Sequence, residues 1–248
     1  MSVADHRAIS TSGEAPPRSW SMGRLAAAVA LGAWAGLFWF LLLSGRTYLY
    51  LSTRTAWVVP VGAILLSIAA LGRLATARTP RLDPITRRAA WGLGVALLPV
   101  VTVLALPPAA LGSFAASRRS VSTGFAGAGG ELADGPVTFA AVAAAGWSPE
   151  VRRGLVERAG SRVTFEGIVT RREGQAADEF ILTRFVVSCC VADALSVQVR
   201  VVGAPPGKFE QDQWVRVSGT FYPIGREMVV AASDIQAIPR PERPYVNV

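Results

Sequence analysis

Three long stretches without a charged side chain, Leu25–Leu43, Thr55–Gly72 and Ala89–Ser117, constrain this chain more than any other feature. A helix needs about 20 mostly apolar residues to cross a hydrocarbon layer about 30 Å thick. The first stretch meets that length, the second comes close and the third exceeds it. Core helices of a soluble domain rarely run so far without a charge. A cleaved leader accounts poorly for the first stretch. Its apolar run is too long and ends in Leu41-Leu42-Leu43-Ser44-Gly45-Arg46, without a small-x-small cleavage site. Three transmembrane helices are therefore expected, at about Arg24–Leu43, Ala56–Leu74 and Ala89–Leu106, within a membrane region spanning 24–111. Pro60 is tolerable near a helix start, Pro99 should kink the third helix and Pro107–Pro108 should end it.

The formal net charge of +8 is unevenly spread: residues 157–248 hold 11 basic and 11 acidic side chains, so the excess lies upstream. The second loop carries Arg73, Arg78, Arg81, Arg87 and Arg88 against Asp83, and the N-terminal segment carries Arg7, Arg18 and Arg24. The first loop has only Arg46 and Arg54. Basic loops stay cytoplasmic. The expected protein is thus a multi-pass cell-membrane protein with its N-terminus and second loop inside and its C-terminal domain extracytoplasmic. Arg118 and Arg119 run against that rule. A basic surplus flanking membrane spans is no argument for nucleic acid, and the lipid bilayer is the expected partner. The helix cores hold no ionisable residue, which suits an anchor or accessory subunit better than a self-sufficient transporter.

Residues 1–23, rich in Ser, Pro and charge, read as a disordered cytoplasmic tail. Ala109–Gly130 is small and Gly-rich and reads as a linker, part of a segment 112–160 that also holds short helices. Thr138–Gly146 is expected to be a short helical or turn segment. A short helix begins at Ser148-Pro149-Glu150, with Ser148 as N-cap and Pro149 at the first helical position, and runs to about Ala159. From Arg162 the apolar period becomes two. Faces are formed by Val163, Phe165, Gly167 and Val169; by Ile181, Thr183, Phe185, Val187 and Cys189; by Val197, Val199 and Val201; by Val215, Val217, Gly219 and Phe221; and by Met228–Ala232. Five short strands over 161–248 predict an all-β domain, a five-stranded Greek-key barrel of the OB type, with a β-sandwich as the alternative.

The only two cysteines are adjacent, Cys189 and Cys190, with Asp193 three residues on. Three chemistries are open to them: simple packing, a soft-metal or thiol-mediated contact with Asp193 as third ligand, or a strained vicinal disulfide. If the strand continues through Cys189, Cys190 points to the opposite face and the two thiols cannot share an ion. Joint ligation therefore requires the strand to end or bulge at Cys190. Asp193 is equally a turn residue binding local N–H groups. The only histidine is His6, so one chain lacks the four donors of a closed zinc site. Without a nearby histidine or a Cys-x-x-Cys, thiol redox chemistry is the weaker reading. Trp214 can stack a ligand or simply pack, and Gly203-Ala-Pro-Pro-Gly207 is a turn without the Gly-Lys-Ser/Thr ending of a phosphate loop. No catalytic or cofactor-binding residue is expected, and the protein is read as not an enzyme.

The run Cys189-Cys190-Val191-Ala192-Asp193-Ala194 resembles the Cys-Cys-x-Ala-Asp-Ala signature of the YcgQ-like family of bacterial permease subunits. The Arg184–Ser188 strand, the Trp214–Gly219 strand and Pro244-Tyr245-Val246 are also similar to that family. The chain ends Pro-Tyr-Val-Asn-Val where the family often has Pro-Tyr-Val-Tyr-Pro. The resemblance implies a membrane complex with a multi-helix permease, and it links some relatives to metal homeostasis. The resulting expectation is an accessory permease subunit whose outer domain presents or senses substrate, a soft metal ion being the candidate, through Cys189, Cys190 and Asp193. The alternatives are a membrane-anchored envelope-interaction module and a thiol redox protein.

Overall fold

The computed structural model describes residues 19–79, 86–106, 111–118 and 135–247. Most of the tail expected to be disordered, 1–18, lies outside them, as do Pro107–Pro108 and most of the Gly-rich linker. Among the described residues, three helices are long and apolar enough to span a membrane: α1 (Met22–Leu43), α2 (Val58–Ala75) and α3 (Arg87–Ala105). The chain is a multi-pass membrane protein. α1 starts two residues earlier than expected, and α2 two residues later. Pro60 sits in the first turn of α2, where N–H groups have no helical partner, and Pro99 lies inside α3.

The chain divides into two compact units, residues 1–38 with 62–105, and residues 39–61 with 106–248. In the first unit, the Trp34 indole donates to the Ala96 carbonyl at 2.9 Å, and the Phe38 ring stands edge-on to Trp34 at 6.0 Å. A two-residue strand β1 (Ser19–Trp20) pairs with β2 (Arg78–Thr79). Arg78 lies over the Trp20 ring at 5.0 Å and Arg24 donates to the Thr76 carbonyl at 2.7 Å, fastening the start of α1 to the end of α2.

The second unit holds the β-domain. After a short helix α4 (Ser113–Arg118) come α5 (Phe139–Ala144) and α6 (Pro149–Glu157). Thr138 caps α5 by accepting the Ala141 N–H. Ser148 caps α6 by accepting the Val151 N–H at 3.3 Å, with Pro149 following it as the motif requires. The strands are β3 (Arg162–Thr170), β4 (Glu179–Val187), β5 (Leu195–Val202), β6 (Trp214–Ile224), β7 (Glu227–Ala237) and β8 (Tyr245–Asn247). They are ordered β3-β6-β7-β5-β4, and β3 pairs back with β4, closing a five-stranded barrel. The β5–β7 pair is parallel and the other pairs in the ring are antiparallel. This is the OB-like barrel that the period-two runs predict. A sixth strand, β8, adds to the five expected ones; it runs parallel to β4 at Phe185–Val187, beyond the stretch Ile181–Thr183 that pairs with β3.

Period two explains the interior. Val163, Phe165, Val169, Val199, Val201, Val215, Val217 and Phe221 are buried in one core. Phe139, Val151 and Leu155 of α5 and α6 join that core. In β4 both faces are covered: Phe180, Leu182 and Val186 belong to the main core, while Phe185 and Val187 pack with Ala116 and Tyr245 in a second cluster. A continuously apolar strand is what burial on both faces demands. Gly219 sits at the register shift between β6 and β7. A Cβ there would lie 2.2 Å from the Ala231 carbonyl oxygen, so the strands can approach only with glycine at this place.

Part of the expected linker is docked. Ser113 donates to the Asp212 carboxylate through its N–H at 2.5 Å and its hydroxyl at 2.9 Å. The Leu111 N–H donates to the Tyr245 hydroxyl at 3.3 Å.

Candidate metal centre on a strand-end turn

β4 ends at Val187, two residues before the doublet. A one-turn 3-10 helix over Val191–Asp193 follows, with Cys190 as its N-cap in extended conformation. The geometric condition for the thiols to meet is therefore fulfilled: the chain leaves the strand before Cys189, and alternation of faces no longer applies. The Cys189 and Cys190 sulfurs and a carboxylate oxygen of Asp193 all lie within 4.8 Å of one another.

Asp193 makes this turn. Its Oδ1 accepts the Ser188 N–H at 3.0 Å, and its Oδ2 accepts the N–H groups of Cys189 at 2.7 Å and Cys190 at 3.3 Å. In return the Asp193 N–H faces the Cys190 side chain, completing a capping box with a thiol in place of the usual hydroxyl. The two roles considered for Asp193 are thus combined in one carboxylate, which shapes the turn and borders both sulfurs.

Electrostatics follow the geometry. The Asp193 carboxylate is held below the usual carboxylate range: partial burial works against its charge, and is outweighed by the Cys189 thiol and the three backbone N–H groups. The same contact, with a smaller contribution from Cys190, pushes the Cys189 thiol up to about 11. Cys189 is exposed, yet at neutral pH it is a thiol hydrogen-bonded to a carboxylate and not a free thiolate. Both cysteines are free, so the vicinal disulfide is not formed here.

The turn is held from outside by the loop joining the first two spans, a contact without a signal in the amino-acid sequence. The Ser52 N–H donates to the Cys189 carbonyl at 3.1 Å and the Thr55 hydroxyl donates to the same oxygen at 2.5 Å. The Val191 N–H donates to the Tyr50 carbonyl at 2.8 Å, and Leu51 forms an antiparallel bridge with Cys190. Leu51 thus forms a single bridge beside the doublet, and the chain then turns at Ser52, whose carbonyl accepts the Thr55 N–H at 3.2 Å and the Ala56 N–H at 2.9 Å.

Trp214 packs. The Arg184 guanidinium covers its ring at 5.2 Å and donates to the carbonyls of Glu166 at 2.9 Å and Arg243 at 3.0 Å. Gly203–Gly207 is a turn, with positive φ at both glycines.

Residues 147–247 match the family described as the DUF1980 C-terminal domain. The matched stretch contains the whole barrel, the doublet turn and β8, and the resemblance drawn from the Cys-Cys-x-Ala-Asp-Ala run falls inside it. No curated protein matches the chain.

Proposed function

We propose that this protein is an accessory subunit of a membrane permease complex, and that its barrel domain faces out of the cell and presents or senses a soft metal ion through Cys189, Cys190 and Asp193. One observation carries the reading: two thiols and a carboxylate lie within 4.8 Å on a turn that is hydrogen-bonded to the loop between two membrane spans. Thiolate donors favour soft and borderline ions. Three donors leave a tetrahedral ion one position short, which suits transfer to or from a partner better than permanent storage. The arginine distribution supports the outward orientation, and the YcgQ-like signature supports a permease as partner.

Metal must displace the Cys189 proton, so loading is coupled to proton release. The raised thiol pKa speaks against a redox reading, because nucleophilic thiols have depressed values. The domain acts without catalysis in this proposal.

The test has two arms. Purified wild-type protein titrated with cadmium should bind one equivalent with thiolate-to-metal absorption, and Cys189→Ser/Cys190→Ser should bind none. Equal, negligible binding by both removes the ligand reading. Co-purification with a multi-helix permease encoded beside it tests the partner. Recovery of a lone monomer in mild detergent, with a different envelope protein captured on the barrel surface, would favour an interaction module instead.

A further inference from the structure

A second site lies where α1 ends. Ser44 and Gly45 terminate the helix, with the Gly45 N–H donating to the Leu42 carbonyl at 3.2 Å and Gly45 in the left-handed region at φ 67°. Arg46 follows at once, three residues after Leu43, the last residue of the span. Beside it is a cavity of about 450 Å³, whose walls include Arg46 and Tyr48 from this loop and Arg240 and Glu242 from the segment leading to β8.

Three guanidiniums converge here. Arg46 stacks on the Phe40 ring at 5.2 Å, Arg243 stacks on the Tyr48 ring at 4.8 Å, and Arg240 lines the cavity directly. Among the described residues none of the three has an ion-pair partner. A cation at a helix C-terminus satisfies the helix dipole, which accounts for Arg46. It does not account for Arg240 or Arg243, which come from the far end of the chain. The cavity wall itself carries two guanidiniums and one carboxylate, an excess of one positive charge that a single phosphodiester neutralises.

Position selects the ligand. The headgroup layers add about 5–7 Å on each side of the hydrocarbon. An arginine three residues past the last apolar turn falls in that layer, and Trp39 and Phe40, both partly exposed, suit its inner edge. We propose that this cavity binds the phosphate of an anionic phospholipid, with Arg46 and Arg240 as phosphate ligands and Tyr48 beside the glycerol. Arginine is suited to the task because its planar fork meets phosphate oxygens in pairs. The site is separate from the doublet and does not rest on the permease reading.

Native mass spectrometry of the full-length protein in mild detergent tests it, using phosphatidylglycerol, phosphatidylcholine and inorganic phosphate as probes. Wild type should retain phosphatidylglycerol at least about tenfold better than phosphatidylcholine, and Arg46→Gln or Arg240→Gln should each lower that retention about tenfold, the loss of one charge-assisted contact. Glu242→Gln should raise it severalfold, a gain that a misfolded variant does not produce. Equal retention of the two lipids overturns the proposal, and so do arginine variants that match wild type. If millimolar inorganic phosphate abolishes the preference, the ligand is a soluble phosphate ester and the lipid assignment fails.

Discussion

Leu182, Val199, Val201 and Phe221 are sealed inside the barrel, whereas Ile68, Leu71, Val95 and Leu98 of α2 and α3 are 62–66 % exposed. The side chains are of one kind and the two regions use them in opposite ways. In the barrel, period two sends alternate residues inward and polar ones such as Thr164, Arg216 and Ser218 outward, so water is the solvent for which the fold is arranged. In the helices apolar residues appear on every side and no inward face is needed, because lipid covers them. The exposed apolar surface of the helices is thus a statement about solvent and not a packing defect.

The largest expected effect breaks this comparison if it is wrong. Phe221→Ala should destabilise the barrel by about 3–5 kcal/mol, since it empties a fully buried aromatic site. Leu98→Ala should cost less than about 1 kcal/mol, because the lost contacts are with lipid or detergent. Thermal unfolding of the full-length protein in detergent, followed by circular dichroism, compares them. Equal losses would mean that α3 is packed in protein. Next in size is Gly219→Ala, at about 1–3 kcal/mol, because the added methyl group meets backbone at the β6–β7 register shift and backbone cannot move aside cheaply.

These two barrel sites show what was legible in the sequence. The alternation Val215, Val217, Gly219, Phe221 placed both residues on the inward face of a strand, and the Ser148-Pro149 pair placed the start of α6. Such signals are local, set by side-chain period and cap chemistry. β8 escaped because three residues carry no period, and its pairing with β4 is made by chain some 60 residues away. The doublet was half legible. Its residue types left packing, a soft-donor contact and a disulfide open, and the condition for joint ligation, a strand that ends or bulges at Cys190, could be stated. Whether the condition held depended on Asp193 reaching back to three N–H groups, a choice the carboxylate makes only in the folded turn. The Ser52 and Thr55 contacts were invisible, because they join segments more than 130 residues apart.

Asp193 sharpens the contrast between barrel interior and barrel rim. Asp193→Asn should cost about 1–3 kcal/mol by weakening charge-assisted bonds to Ser188, Cys189 and Cys190. The sign of the pH dependence follows from the depressed carboxyl. Its contribution is present above the unfolded value of about 3.9 and is lost as pH falls through the folded value, so the gap between wild type and Asp193→Asn should close only below about pH 4. The thiol behaves in the opposite sense. With Cys189 raised from 9.0 to about 11, the protonated form is favoured by folding, and that contribution fades only between those values as pH rises. In Asp193→Asn, the pH profile of Cys189 alkylation should move down towards the ordinary value. Apparent metal affinity should rise about tenfold per pH unit between pH 6 and 8 for the Cys189 proton alone. A pH-independent affinity would exclude Cys189 as a thiolate ligand.

The smallest expected effect bears on the link between the barrel and the spans. Thr55→Val removes one hydroxyl donor from the Cys189 carbonyl and leaves the Ser52 N–H on the same oxygen, so global stability should fall by only about 0.5–1.5 kcal/mol. Its local effect should be larger than its global one, because the doublet lies on a turn at the surface, where opening costs little compared with unfolding the barrel. Cys189 alkylation at fixed pH should therefore speed up severalfold in Thr55→Val, while the melting of the barrel barely changes. If alkylation and melting move in proportion, the loop contributes only general stability, and the doublet is not held in place by the membrane hairpin. If alkylation alone responds, the loop at 50–55 sets the exposure of the thiols.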